Sequence, residues 1–284
     1  MKLNAARNRH ETAAGRVVRW TLTLVALFFL TLFVVVPLAL VFVNAFEKGW
    51  HGYLAAISTP DARAAIRLTL IAAAAAVPLN TFFGIAAAWS VSKFDFPGKN
   101  VLITLLDIPF AVSPVISGLI FVLIFGLQGW LGPWLEDRGI QIVFAAPGII
   151  LATMFVTVPF VARELIPHMQ AQGREEEEAA LVLGAGGWQT FIRVTLPNIK
   201  WSLLYGVILC TARATGEYGA VAVVSGHTQG GTNTIPLHVE ILYNGYDSSG
   251  AFAVASLLTL LSVVTLIIKK IMERKSSGAV DHGN

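Results

Sequence analysis

Charge is what this sequence has least of. Only 13% of its 284 residues are Asp, Glu, Lys or Arg, against about 25% in an average soluble domain. Hydrophobic residues make up 55%, and the mean hydropathy is +0.69. Such a chain cannot clothe a water-facing surface, and it reads as an integral membrane protein. Cysteine is nearly absent. The single Cys210 excludes an internal disulfide, and its apolar neighbours make it a small packing residue. Without paired cysteines or clustered histidines, no metal site is expected. No phosphate-binding loop is present either: Lys99 follows Gly98, but FPGKN opens no GKS or GKT motif and no glycine stands five residues before Gly98. HExxH, GxSxG and CxxC are missing, and the apolar blocks offer no convincing nucleophile and base. An enzyme is not expected, and if ATP drives this protein another chain must hydrolyse it.

What is abundant is apolar run. Six membrane-length blocks lie at roughly 20–46, 64–91, 101–127, 143–167, 199–225 and 251–271. The runs lack the strict alternation of barrel strands, and a helix satisfies its own backbone in lipid, so six transmembrane helices are expected. The first run, Trp20 to Phe46, far exceeds the apolar core of a cleavable signal peptide. At about 1.5 Å per residue it crosses a core of roughly 30 Å with length to spare. The expected organisation is a basic cytoplasmic tail 1–19, a membrane domain 20–271 containing a cytoplasmic loop 170–198, and a cytoplasmic tail 272–284.

The basic residues set the orientation. Lys2, Arg7, Arg9, Arg16 and Arg19 precede the first block, and Lys93 and Lys99 follow the second. Arg163, Arg174, Arg193 and Lys200 flank the loop 170–198, and Lys269, Lys270, Arg274 and Lys275 close the last block. On the other side lie only Lys48, Arg63, Arg67 and Arg138, with none at all in 226–250. Both termini and the loop 170–198 are therefore expected inside. The basic balance reports topology, not nucleic-acid binding.

That loop carries the most organised stretch, Glu178 to Pro197, EAALVLGAGGWQTFIRVTLP. Leu181, Gly184 or Ala185, Trp188, and Phe191 or Ile192 recur at helical period. Gly184, Gly186 and Gly187 mark a turn or a close backbone approach. The spacing predicts a short helix, a glycine turn, a second short helix and a stop at Pro197. Too short to span a bilayer, the segment is expected to stand in water as a docking surface. Inside the blocks, Pro78, Asn80, Asp107, Pro109, Ser113, Pro114, Ser117, Thr157 and Pro159 point to helices that face protein or a cavity. Arg213, near the middle of its block, costs roughly 2.5–3.5 kcal/mol on insertion scales unless it faces protein or water. Glu217, four residues on, lies one turn away on the same face. The two read as a self-compensating ion pair, as a positive station for a passing anion, or as both. Asp107 reads as a cap near the kink at Pro109 or as lining of an inner vestibule. The loop histidines His227 and His238, and Asp247, are expected to be solvated.

Glu178, Ala179, Ala180, Gly184, Val194, Thr195, Leu196 and Pro197 resemble the EAA signature of the permease subunits of bacterial ABC importers, with Val194 where the family has isoleucine. The resemblance implies that Glu178, Ala179, Ala180, Gly184, Leu196 and Pro197 belong to a coupling helix that fits a cleft on a cytoplasmic ATPase. Four further stretches extend it: KFDFPGKN (Lys93 to Asn100), LLDIPFAVSPVISGLIF (Leu105 to Phe121), RVTLPNIKWSLLYGV (Arg193 to Val207) and ARATGEYGAVAVVSG (Ala212 to Gly226). They resemble sulfate/thiosulfate permeases, nearest the CysW-type inner-membrane subunit, with molybdate permeases more distantly similar. This implies an all-α polytopic membrane protein with the type I ABC importer permease fold in a bacterial inner membrane. Implied partners are a related permease of CysT/CysU type, two copies of a CysA-type ATPase that uses ATP and Mg, and a periplasmic sulfate- or thiosulfate-binding protein. The bilayer is the remaining partner; no nucleic acid and no cofactor of this chain's own is implied. Arg213, Glu217, Asp107 and Ser113 are the candidate path residues. A molybdate or tungstate permease is the alternative, followed by an ion-coupled secondary anion transporter, whose inverted repeats and titratable relay are not evident.

Overall fold

The computed structural model describes residues 13–280; Lys2, Arg7 and Arg9 of the expected basic tail, and residues 281–284 of the other, lie outside it. Among the described residues every element is helical. Helix α1 (Ala13–Leu30) passes through a π-helical turn (Thr31–Val35) into α2 (Val36–Ala45), and α3 (Gly49–Ile57) leads to α4 (Pro60–Lys93). A hairpin of α5 (Lys99–Ala111) and α6 (Pro114–Phe125) follows, then a short α7 (Gly132–Glu136) and the long α8 (Ala146–Gln172). The loop holds α9 (Glu175–Val182), α10 (Gly187–Thr190) and a second π turn (Phe191–Thr195), which runs into α11 (Leu196–Thr215). The chain ends with α12 (Gly219–Val224), α13 (Ile235–Asn244) and α14 (Ser248–Val280).

Among the described residues four helices are long and apolar enough to cross a bilayer: Val17–Ala45, Pro60–Lys93, Ala146–Gln172 and Ser248–Ile268. A fifth crossing exists if α5 and α6 count as one, but they bend by 107°. The third apolar block is thus not the straight span its length predicts. Val112 is extended at the junction, and Ser113, directly before Pro114, has ψ of 136°, out of the helical region as the residue before a proline tends to be. The fifth block is broken too. α11 carries Lys200 and Arg213 and ends at Thr215, and helix resumes only at Gly219. Pro78, by contrast, sits inside an unbroken α4.

Pro197 does not stop the loop helix. It occupies the first turn of α11, as Pro37 does in α2, and each follows a π turn. Proline donates no N–H and crowds the carbonyl four residues back. A turn closed by bonds five residues apart, Leu196 N–H to the Phe191 carbonyl, accommodates both defects.

The centre of the fold is α4 packed on α8, with α11 on the flank. Small residues permit close approach: a methyl at Gly84 would lie 2.7 Å from Cβ of Val161, and one at Gly206 would lie 3.2 Å from the Val161 Cα. Ala73, Val77, Val161, Leu165, Met169, Ile199, Cys210 and Ala214 fill the seam. Buried Asn80 donates to Thr157 Oγ1 (2.8 Å) and to the Met154 carbonyl (3.0 Å), so no amide is left stranded in an apolar seam. At the other end, α12 joins Leu68, Ala72, Ile149, Ala152 and Val156 in a second cluster capped by Leu237 of α13.

Candidate functional site

The loop 173–198 is built as a rigid bracket. α9 ends in a Schellman motif: Ala185 N–H bonds the Ala180 carbonyl (3.0 Å), Gly184 N–H bonds the Leu181 carbonyl (2.9 Å), and Gly184 has φ of +87°. That conformation is why residue 184 is glycine. Of the two readings of these glycines, the turn is the one found within this chain, since methyl groups at Gly184, Gly186 or Gly187 would meet nothing within 4 Å.

Polar contacts fasten the bracket to the membrane helices. Lys93, in the last turn of α4, pairs with Glu177 at 2.9 Å and bonds the Gly173 carbonyl. Thr195 donates to Glu177 Oε1 at 3.1 Å, and Asn198 bonds Glu176. Arg174 donates to Asp95 Oδ2 at 3.1 Å, while Lys99 holds Oδ1. Hydrogen bonds from Lys99 and then Arg174 hold the Asp95 carboxyl below its ordinary range. Aromatic contacts add to this: Trp89 meets Phe191 at 5.1 Å, and Phe191 stacks on Trp188 at 5.6 Å.

With one side fastened, the other is bare. Val182 and Leu183 are each 87% exposed and Trp188 72%, and Leu181 and Ile192 join them at the surface. An apolar patch of this kind on an otherwise charged loop marks an interaction surface. Glu178 and Ala179 are exposed, Ala180 is half-buried, and Glu178 and Leu181 line a cavity of about 360 Å³ that runs back to Trp89 and Lys93. Leu196 packs on the α4–α8–α11 seam and Pro197 is exposed. The structure thus brings Glu178, Ala179, Ala180 and Gly184 onto one loop element, with Leu196 and Pro197 at its return into the membrane.

The second candidate lies where two broken helices meet. Arg213 Nη1 pairs with Glu217 Oε2 at 2.7 Å; the Glu217 side chain is 1% exposed and that of Arg213 34%. The pair expected at helical spacing exists, but Glu217 stands in the break after α11. Its other oxygen accepts from Ala220 N–H at 3.0 Å and so caps α12. The start of α6 abuts that of α12: a methyl at Gly118 would fall 2.7 Å from the Ala220 carbonyl oxygen, and one at Gly219 would fall 3.0 Å from Pro114 Cβ. Ser113, exposed, heads α6, and its carbonyl accepts from Ser117. Discontinuous helices within a membrane are tolerated where the irregular backbone is buried in protein or lines a cavity.

Asp107 caps no kink at Pro109. α5 stays helical through Pro109, and Asp107 Oδ1 accepts from Arg163 Nε at 2.8 Å. Arg163, expected at the flank of the loop, sits well inside α8. Its presence within the block 143–167 was the available signal. Cys210 is fully buried, with its Sγ 3.7 Å from the Thr157 carbonyl, as a packing residue should be. His238 is not solvated; it is 4% exposed, on the buried face of a helix α13 that the polar stretch 226–250 did not disclose. Asp247 pairs with Lys48 at 2.9 Å, and His227 Nε2 lies 2.9 Å from the Ala222 carbonyl.

Residues 80–278 match the family described as binding-protein-dependent transport system inner membrane component. The chain is 50% identical over 255 residues to the sulfate transport system permease protein CysW of Escherichia coli (strain K12), covering 90% of this chain and 88% of that one. It is 49% identical over 259 residues to the CysW of Synechocystis sp. (strain ATCC 27184 / PCC 6803 / Kazusa), covering 91% and 94%. Among solved structures, the crystal structure of a bacterial alginate ABC transporter in complex with its alginate pentasaccharide-bound periplasmic protein contains a chain with TM-score 0.76 and 16% identity, covering 91% of this chain and 94% of that one. At that identity the likeness is one of fold.

Proposed function

We propose, for a chain that belongs to the family of binding-protein-dependent transport system inner membrane components, that it is the permease subunit of an ATP-driven importer of sulfate or thiosulfate. The observation that carries this reading is the identity to sulfate permeases over nine-tenths of the chain, 90% in the first comparison. Molybdate or tungstate is the alternative cargo, and nothing at the Arg213–Glu217 pair favours it.

The chain's own parts fit that role. The bare patch of Val182, Leu183 and Trp188 is the surface offered to a cytoplasmic ATPase, which holds the ATP and Mg; this chain is not the enzyme. ATP binding draws the two coupling loops of a permease pair together and opens the path outward, and hydrolysis resets it. The bracket of Lys93, Glu177, Asp95 and Arg174 transmits loop movement to α4 and α5 as a unit instead of letting the loop flex. Arg213 presents positive charge to an oxyanion where α11 breaks, and Glu217 holds its guanidinium in place. The partners are a second related permease, two ATPase copies and a periplasmic binding protein, in the inner membrane of a bacterium with both termini cytoplasmic.

Labelled sulfate uptake tests the reading, in a bacterial strain lacking its own equivalent permease and supplied with this chain. Uptake should return and should be outcompeted by thiosulfate. If uptake stays absent while the chain is inserted and the same cells accumulate molybdate, the cargo is wrong.

A further inference from the structure

Arg163, inside the membrane-length α8, and Asp107 of α5 form a second ion pair that the Arg213 reading does not use. Asp107 Oδ1 takes only the Nε proton of Arg163, at 2.8 Å, and no other hydrogen bond or ion pair occupies the guanidinium among the described residues. The guanidinium carbon lies over the Phe110 ring, 4.8 Å from its centroid, and Phe110 packs edge-on against Phe160 of α8 at 5.3 Å. The neighbouring residues Leu106 and Ala162 are buried against Ala87 of α4. Arg163 and Asp107 therefore flank that seam at its open edge, with side chains 54% and 40% exposed. An arginine whose forked end is held at one nitrogen and left open at the others is built to receive a planar or tetrahedral oxyanion.

Its position relative to Arg213 follows from helix geometry. Gly206 and Arg213 are seven residues apart and share a face of α11. Gly206 seats against Val161 and Glu164 of α8, the latter adjoining Arg163. Arg163 is thus level with Gly206, about 10 Å along the helix axis from Arg213 and on the side of the α9–α10 loop, but it leaves α8 toward Asp107 of α5, away from the side that Val161 and Glu164 present to α11. An arginine within a spanning helix faces water or protein, not lipid.

We propose that Arg163, steadied by Asp107 over Phe110, is a second binding station for a doubly charged tetrahedral oxyanion, nearer the coupling loop than Arg213. Each station is a neutral pair when empty, so an arriving dianion competes with the carboxylate for the guanidinium. A site that releases cargo needs such a competitor. Asp107 is then a positioning residue that sets how easily the anion leaves. This inference rests on the oxyanion-permease reading above.

The test uses the assembled complex in proteoliposomes with the ATPase side outward and binding protein with labelled sulfate enclosed. ATP-driven appearance of label outside is titrated with unlabelled sulfate on the outer side. In the wild type, outer sulfate should inhibit by re-occupying the station. Asp107→Asn should lower the half-inhibitory sulfate by about tenfold, and Arg163→Lys should raise it by a similar factor, the worth of one charge-assisted hydrogen bond. Arg163→Gln should abolish the inhibition along with most transport. If Asp107→Asn and Arg163→Lys assemble but leave the half-inhibitory concentration unmoved, or move it in the same direction, the pair is structural and the inference falls. Should Arg163→Gln fail to assemble, the other two variants still decide. A wild-type complex that moves no sulfate at all would instead overturn the oxyanion reading, an outcome separable from any variant effect.

Discussion

Lys93 and Glu177 form an ion pair almost sealed from solvent, with side chains 6% and 16% exposed and nitrogen and oxygen 2.9 Å apart. It joins the last turn of α4 to the first turn of α9, residues far apart in the chain. Removing one partner of a buried pair leaves the other charge stranded. Lys93→Met should therefore destabilise the purified protein by about 3 kcal/mol, the low end for a buried pair losing a partner. The double variant Lys93→Met with Glu177→Met should recover most of it. Thermal unfolding in detergent measures both, and equal melting of single and double variants would deny the pair its bracing role.

Gly184 tests whether the loop's shape or its surface matters. Its left-handed φ of +87° costs a residue with a Cβ roughly 1–2 kcal/mol. Gly184→Ala should lose about that much and weaken capture of the ATPase, while Gly184→Asn should lose less, since asparagine tolerates this region. Gly186, with φ of −72° and open space around it, is the control, and Gly186→Ala should be near neutral. Identical behaviour of Gly184→Ala and Gly186→Ala would remove the Schellman motif from the argument.

Much of this is legible in the sequence. The apolar blocks announced helices because hydropathy is a property of composition, and the loop announced itself because Glu178 to Pro197 interrupts that composition with a helical period of its own. The pairing of Arg213 with Glu217 followed from spacing alone. What escaped was whatever depends on the third dimension or on the limits of a rule. Pro109 lies inside an intact helix while the chain breaks beside Pro114, and no single-residue preference separates the two. Arg163 reads from the sequence as a topology signal, and only the approach of α5 to α8 shows that it faces Asp107. The helix α13 hides in a stretch rich in glycine and threonine because its buried face is supplied by Ile235, Leu237 and His238, too short a run to show a period.

His238 carries a pH dependence. Burial pushes its imidazole below the ordinary value, against a smaller upward pull from Asp61, and both ring nitrogens lack a hydrogen-bond partner among the described residues. The unfolded chain, with the ordinary value near 6.5, takes up a proton that the folded one resists. Stability is then full above that value and declines as pH falls below it. Melting temperature should drop between about pH 7 and pH 5 in the wild type, and His238→Gln should flatten that part of the profile. A wild-type profile as flat as the variant's would show that His238 is not the group responsible.

Arg213 and Glu217 separate structure from transport, provided the variant respects what Glu217 does for α12. Replacing Glu217 with leucine would orphan Ala220 N–H as well as Arg213, an added cost of about 1–3 kcal/mol that has nothing to do with the pair. Glu217→Gln keeps an oxygen for that N–H. The informative double variant is therefore Arg213→Gln with Glu217→Gln, which removes both charges and leaves the cap. It should insert, assemble with the ATPase and melt close to the wild type, since neither charge is left unpaired. If Arg213 meets the anion, its sulfate uptake should fall by at least tenfold, the effect of losing one charge-assisted contact. Arg213→Lys, with the charge kept and the fork lost, should fall between the two. Uptake in the double variant equal to that of the wild type would take Arg213 out of the path and leave the pair with the single task of holding α11 and α12 together across their break.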